Sequence, residues 1–342
     1  MKISVGIIGI SGYTGLELVK LLINHPNFEL VYAGATSQNE LEDLFPSLKN
    51  VLNLKVEVAD TNEVKKRCKL VFLALPHTEG MKVVKELKGS DVKIVDLSAD
   101  YRVSLENYEK NYCPHLDKSG LKEAVYGLVE INRDLIKTAN LIANPGCYPT
   151  CSLLALLPFV DMLEPKFGVM IDAKSGLSGA GKSLKSTSHF VSVNENVNAY
   201  SPLTHRHSDE IKEHLNKNLK NGLKDDIEIM FVPHLVPLTR GMLVSSFLLL
   251  KDEFKDIDPL QILRDFYKNE KFIRIRTEPV NTKFVSGTHF CDIFVINKNG
   301  KLWINSSIDN LLRGASSQAL ANANLMFGFD ESLGLPFVGN SI

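Results

Sequence analysis

Ile3-Ser4-Val5-Gly6-Ile7-Ile8-Gly9-Ile10-Ser11-Gly12-Tyr13-Thr14-Gly15 opens the chain with a short apolar run and then glycines at every third position. The run from Ile3 to Ile8 has the composition of a strand buried on both faces of a parallel sheet. Beyond the glycines, Leu16, Val19, Leu22 and Ile23 recur at helical spacing. Strand, glycine turn and helix in that order are the setting in which spaced glycines bind a dinucleotide. The glycines let backbone approach the ligand, and the helix start presents N–H groups to a pyrophosphate. Glycine turns also join strands to helices that bind nothing, so the surroundings decide. Phe28 to Ala33, Leu70 to Leu75 and Lys93 to Leu97 read as further strands, with helical patterns between them. That alternation predicts an α/β fold with a Rossmann-type, doubly wound nucleotide-binding domain.

The end of the second strand bears on the cofactor. An NAD site usually places an acid there for the ribose 2′-hydroxyl. This chain has Ala35, Thr36 and Ser37, and no acid before Glu40. Small hydroxyl residues accommodate a 2′-phosphate and favour NADP(H). The absence of Arg or Lys in the stretch, with Glu40, Glu42 and Asp43 close by, argues the other way.

A chain of 342 residues suits two domains, and 44% hydrophobic with 23% charged residues is ordinary for a folded protein. The net charge of −1 gives no electrostatic reason to expect nucleic acid or an anionic membrane as partner. No apolar run approaches the roughly 18 to 20 residues that span a bilayer. The N-terminus reads as a strand rather than a signal segment. Cysteines at positions 68, 113, 147, 151 and 291 form no CxxC pair and no metal-ligand spacing. Their odd number favours reduced thiols in the cytoplasm, with no metal.

The segment with most chemical content is Ala143-Asn144-Pro145-Gly146-Cys147-Tyr148-Pro149-Thr150. It follows Leu141 and Ile142 and precedes a helical pattern through Ser152, Leu153, Leu156 and Leu157. Cys147 is thereby expected at or just before a helix start, where the dipole favours a thiolate and N–H groups stabilise an oxyanion. A buried turn cysteine is the bland alternative, and Cys151 is read as core. A thiol nucleophile needs a proton-transfer partner, and His205-Arg206-His207-Ser208-Asp209-Glu210-Ile211 supplies histidines, an arginine and a carboxylate together. The same segment also reads as a solvated helix start capped by Ser208 or Asp209, and both readings can hold. The histidines at 25, 77, 115, 189, 214, 234 and 289 are read as structural or surface residues. Lys174 to Lys182 is rich in glycine and serine and follows a strand-like Val169 to Ala173. Its backbone N–H groups suit a phosphate, although a plain loop has the same composition. Leu97-Ser98-Ala99-Asp100-Tyr101-Arg102 ends a strand, where ligands of open α/β sheets bind. Arg102 is either an anion clamp or a surface ion-pair member.

With these segments in view, the chain resembles the N-acetyl-γ-glutamyl-phosphate reductase family of the wider aspartate-semialdehyde dehydrogenase-like group. The resemblance runs nearly end to end. It includes Gly9 to Leu18, Ala74 to His77, Leu97 to Arg102, Tyr126 to Glu130, Ala143 to Thr150 and Ser175 to Lys182. It continues through His205 to Ile211, Val232 to Pro237 with Arg240-Gly241, and Asp309 to Gly328. Asn-Pro-Gly-Cys-Tyr-Pro-Thr together with His-Arg-His is its most specific part. The resemblance implies NADPH-dependent reduction of an N-acetyl-γ-glutamyl phosphate to the 5-semialdehyde in arginine biosynthesis, with release of phosphate through a Cys147 thioester. Catalytic roles fall to Cys147, His205 (His207 as fallback) and Glu210, which orients the imidazole. Arg102, Arg206 and His207 bind the substrate. Gly9, Ser11, Gly12, Tyr13, Thr14 and Gly15 contact the cofactor, with Thr36, Ser37 and Pro76. Ser178, Gly179, Gly181 and Asn310 do so from the second half. The chain departs from the pattern at Ser208-Asp209, where Thr-Pro is expected, and lacks the arginine often found after the second strand.

The expected division is an NADP-binding domain over 1–146, rejoined by a C-terminal helix over 310–342. A mixed α/β catalytic, substrate and oligomerisation domain over 147–309 completes it. Apolar strands at Val244 to Leu250 and Phe290 to Ile296 suggest the sheet through which this family forms homodimers or homotetramers. Alternatives are a related reductase of aminoadipyl or aspartyl phosphate, or an NADP-binding regulator that kept the fold.

Overall fold

The computed structural model describes residues 2–183, 186–219 and 226–339. Residues 1 and 342, the outer limits of the expected domains, lie outside the described residues, as do 340 and 341. Two compact units divide the chain: Met1–Pro145 with Ala315–Leu335, and Gly146–Gly314 with Pro336–Ile342. The C-terminal segment was expected to join the first unit from Asn310 onward, and it does so only from Ala315 to Leu335. Beyond that stretch the chain is tied to the second unit, where His289 donates its N–H to the Pro336 carbonyl at 2.9 Å.

The first unit holds an eight-stranded sheet. Its strands are β1 (Ile3–Ile8), β2 (Phe28–Ala35), β3 (Asn39–Glu40), β4 (Lys55–Val58), β5 (Leu70–Leu73), β6 (Lys93–Asp96), β7 (Val125–Tyr126) and β8 (Leu141–Ala143). Their order is β3-β4-β2-β1-β5-β6-β8-β7, parallel throughout except that β3 runs against β4. Strand order reverses at β1, between β2 and β5, and ligands of doubly wound sheets bind beyond the carboxyl ends of such strands. β1 and β5 are apolar because both faces are covered, and Val5, Ile7, Leu70 and Phe72 have no exposed surface.

The C-terminal helix expected over 310–342 is Ser317–Met326, and it is buried on every side. It packs on helices Tyr13–Ile23 and Val129–Thr138 and on β6. The amide nitrogens of its buried asparagines are bonded: Asn322 Nδ2 donates to the Gly127 carbonyl at 2.9 Å and to Asn144 Oδ1 at 3.2 Å. Asn324 Nδ2 donates to the carbonyls of Glu331 and Leu333.

The second unit holds a seven-stranded mixed sheet. Its strands are β9 (Val169–Gly176), β10 (Asn198–Ala199), β11 (Ile229–Val236), β12 (Met242–Leu249), β13 (Ile273–Ile275), β14 (Cys291–Lys298) and β15 (Lys301–Ile308), in the order β10-β11-β9-β12-β15-β14-β13. One face is apolar and covered. Phe231, Ile171, Val244, Ile304 and Val295 are buried on it, and helix Cys147–Leu156 packs against β12, β14 and β15. The opposite face carries Met230, Met170, Phe247, Trp303 and Ile296, which are direct neighbours in register across five strands.

Candidate active site

In the first unit, β1 delivers the chain into the glycine turn. Gly9 has φ 87, which a side chain disfavours, and any Cβ there would overlap the Ala74 carbonyl. A Cβ on Gly15 would overlap the carbonyl of Ile10, so this glycine allows close helix–strand packing. Gly12 differs: a Cβ there would meet only the Gly9 carbonyl, at 3.7 Å, leaving its outer side open. Gly12 caps helix Tyr13–Ile23 without a side-chain bond, and the first-turn N–H groups have no carbonyl of a preceding turn to meet. This arrangement fits a pyrophosphate. Thr36 and Ser37 are exposed at the end of β2, and Pro76 is exposed after β5.

The loop bearing Pro76 is latched to the loop after β6. Asp100 accepts the N–H groups of Thr78 at 2.7 Å and Met81 at 2.9 Å, and the Ala99 N–H donates to His77 Nδ1 at 3.0 Å. Asp96 below it is fully buried, and burial together with the Asp100 charge pushes its carboxyl up to about 7. Arg102 is buried rather than poised at the surface. Its Nε donates to the Asn144 carbonyl at 2.7 Å and its Nη2 to the Leu97 carbonyl at 2.6 Å. It thereby braces the chain three residues ahead of Cys147.

In the second unit, Cys147 is the first residue of helix Cys147–Leu156 and is half-buried. Gly146 caps this helix, with its N–H donating to Glu210 Oε1 at 2.9 Å. Glu210, expected to orient an imidazole, supports by this bond the peptide ahead of the cysteine. Cys151 is fully buried with its thiol on Ser306 Oγ at 3.2 Å, and burial pushes that thiol up to about 12.

His205 lies in a cage of rings. Tyr148, Tyr200, His207 and Phe231 all meet it edge-on, with centroids 4.8 to 5.9 Å away. Burial in this cage, helped by the neighbouring Arg206 charge, pushes the imidazole down to about 4. His205 is thus neutral at physiological pH. Its Nδ1 accepts the His207 N–H at 3.2 Å, so the neutral ring carries its proton on Nε2. The same bond explains the helix start. Neither Ser208 nor Asp209 caps it; helix His207–Lys217 begins earlier with Arg206 as cap, because the His205 ring takes the first N–H. Arg206 is exposed and His207 half-buried.

Of the cage members, His207 was singled out from sequence, whereas Tyr148, Tyr200 and Phe231 were not. Tyr148 adjoins the cysteine, but Tyr200 and Phe231 reach the histidine only because the Tyr200 N–H pairs with the Pro233 carbonyl and β11 pairs with β9. Tyr200 also donates its hydroxyl to Tyr148 at 3.1 Å, and Tyr148 donates to the His234 carbonyl at 3.3 Å. Among the glycine- and serine-rich residues after β9, Ser178 accepts Asn310 Nδ2 at 2.9 Å, and Asn310 Oδ1 accepts the Gly241 N–H at 2.7 Å. Asn310 thus braces the loop. Gly179 and Gly181 are exposed in it.

Two family models match. Residues 4–139 match the NAD binding domain of semialdehyde dehydrogenase, and residues 147–310 its dimerisation domain. An N-acetyl-gamma-glutamyl-phosphate reductase of Campylobacter curvus is 61% identical over 98% of both chains. One from Wolinella succinogenes is 56% identical over the same shares. Among solved structures, aspartate semialdehyde dehydrogenase II of Vibrio cholerae shares the fold at a TM-score of 0.71 and 15% identity, covering 96% of this chain and 98% of that one.

Proposed function

The chain belongs to the N-acetyl-gamma-glutamyl-phosphate reductase family of the semialdehyde dehydrogenases, and we propose that it reduces N-acetyl-γ-glutamyl phosphate to the 5-semialdehyde through a thioester on Cys147. The observation that carries this reading is Cys147 as first residue of a helix, adjoining the tyrosine that packs on a neutral His205. Attack by Sγ on the acyl carbon forms a C–S bond, and breaking of the carbon–oxygen bond releases phosphate. NADPH, when bound, supplies the hydride that reduces the thioester. The Nε2–H of His205 donates to the substrate oxygen as negative charge gathers there, and burial strengthens that bond. Cleavage of C–S then frees the semialdehyde and returns Sγ as a thiolate. Glu210 holds the Gly146 peptide, Arg206 and His207 meet the substrate anions, and Arg102 steadies the approach to the nucleophile.

The nicotinamide cofactor fits the glycine turn with its open Gly12. Thr36 and Ser37, exposed where NAD sites carry an acid, favour NADP(H). Ser11, Tyr13, Thr14 and Pro76, with Ser178, Gly179, Gly181 and Asn310, complete the set assigned to it. All five cysteines are free thiols, which suits a reducing cytoplasm; among the described residues no helix is long and apolar enough to cross a membrane.

The reaction is tested in reverse. With N-acetylglutamate semialdehyde, phosphate and NADP⁺, NADPH should form only when phosphate is present, and neither aspartate nor aminoadipate semialdehyde should replace the substrate. Equal rates with either rival aldehyde would reassign the substrate, and no signal with any of them would remove the thioester scheme.

The row Met230–Met170–Phe247–Trp303–Ile296 supports homo-oligomer formation through the outer sheet face. Four of its members are between 40% and 52% exposed, and a contiguous apolar row left in water marks an interaction surface. Phe247→Glu places a charge at its centre and should convert the oligomer to monomers by light scattering. An unchanged mass would move the interface elsewhere.

A further inference from the structure

Gly314 lies against Cys147, and the reaction scheme gives it no part. A Cβ built on Gly314 would sit 2.7 Å from Cys147 Cβ and 3.2 Å from its Cα, with Ile308 Cδ1 at 3.4 Å. Carbon atoms repel steeply inside roughly 3.5 Å. The atoms met here are not the mobile end of a long side chain; they are the root of the nucleophile, held in the first turn of its helix. Gly314 is not among the residues with positive φ, so an alanine would meet this contact without backbone strain.

The turn that carries Gly314 cannot easily yield. Gly314 donates its N–H to the Asp309 carbonyl at 2.9 Å, five residues back, and Leu312–Ser316 forms a wide turn of a kind that recurs at functional sites. The fully buried Asp309 carboxylate accepts N–H groups from Leu311, Leu312 and Gly287 at 2.7 to 3.1 Å, and Arg240 faces it at 3.3 Å. Beside Gly314, Arg313 is buried with its Nη1 on His289 Nε2 at 2.7 Å. Burial holds His289 well below the usual imidazole range, so it is a neutral acceptor for that guanidinium.

We propose that Gly314 is a positioning residue for the nucleophile: the braced turn is a rigid backstop, and the missing side chain at 314 is what leaves the Cα–Cβ bond of Cys147 in its reactive direction. The proposal rests on the reading of Cys147 as the nucleophile and adds the element that aims it.

Gly314→Ala tests it by kinetics, by alkylation of Cys147 with iodoacetamide across pH, and by thermal unfolding. The unfolding is repeated in a Cys147→Gly background, which lacks the Cβ that the alanine meets. A misaimed thiol should lower kcat roughly 10- to 100-fold while KM for aldehyde and NADP⁺ stays within about threefold. Alkylation should slow across the pH range. The loss in Tm caused by Gly314→Ala should shrink by at least about half in the Cys147→Gly background, since contacting residues couple and distant ones add. A kcat within about twofold of the parent, or the same loss in Tm in both backgrounds, overturns the proposal. If Gly314→Ala alone does not fold, recovery of folding by Cys147→Gly supports the contact and failure to recover overturns it. The unfolding comparison needs no turnover, so its failure is distinct from failure of the thioester reading, which Cys147→Ser addresses alone.

Discussion

Cys147→Ser should lower kcat by at least about ten-thousand-fold, to a trace that only a sensitive NADPH assay detects. The substitution is nearly isosteric at a half-buried position, so it removes the sulfur and little else. A thiol ordinarily titrates near pH ~8.5, and the partial positive charge at the start of helix Cys147–Leu156 favours its anion. An alcohol stays protonated far above neutral pH, and the described bonds of His205 offer it no rescue. The Nδ1 of that ring is taken by the His207 N–H, which leaves Nε2 as a donor rather than a base. The residues assigned to pyrophosphate, Gly9 to Gly15, belong to the other unit, so NADP⁺ affinity by fluorescence should match the parent within about threefold, as expected when a group acts on the chemical step alone. Turnover above a few per cent would mean that no thioester forms. A parallel loss of NADP⁺ binding would mean that the variant had failed to fold, which thermal unfolding reads independently.

The features that sequence reading recovers are those set by local composition. β1 is visible because a strand covered on both faces must be continuously apolar, and the glycines after it are spaced by the turn they make. Cys147 is visible because Pro145 and Gly146 shape a turn ahead of a helical pattern. What sequence reading misses is decided by distant neighbours. β4 alternates charged and apolar residues over only four positions, Lys55 to Val58, as a short strand near a sheet edge does. β15 hides its strand character because Asn305, Ser306 and Ser307 are buried: Asn305 donates to the Val244 carbonyl, Ser306 to Cys151 and Ser307 to Met242. The C-terminal helix is legible, but the burial of its Asn322 depends on Gly127 and Asn144, far away in the sequence, which accept its amide N–H groups. In the site, the residue types of Cys147, His205 and Glu210 are readable, but one partner of Glu210 is a backbone N–H 64 residues away. The contact of Gly314 with Cys147 spans a still longer separation, and no local pattern encodes it.

His205→Asn should lower kcat roughly 100- to 10,000-fold, the span that a positioned proton donor contributes, whereas His207→Asn should cost far less. The asymmetry follows from which part of each residue the site uses. His205 contributes its ring, desolvated by Tyr148, Tyr200 and Phe231 and held by one bond to Nδ1. His207 contributes its backbone N–H to that bond, which asparagine keeps, and the loss of its ring from the substrate anions should raise KM more than it lowers kcat. The pH dependence carries the same signature. A histidine depressed to about 4 stays neutral until the pH falls through that value, so His205 should impose no loss of rate near 6.5. Protonation of Nδ1 would end its bond from the His207 N–H and release the ring, so the acid limb attributable to His205 should lie near pH 4 in the parent and be absent from the residual activity of His205→Asn, while His207→Asn should retain it. A parent profile that breaks near 6.5, or a His207→Asn defect as deep as that of His205→Asn, would transfer the proton-donating role to His207. The half-buried ring of His205 would then serve to shape the surroundings of Tyr148 beside Cys147.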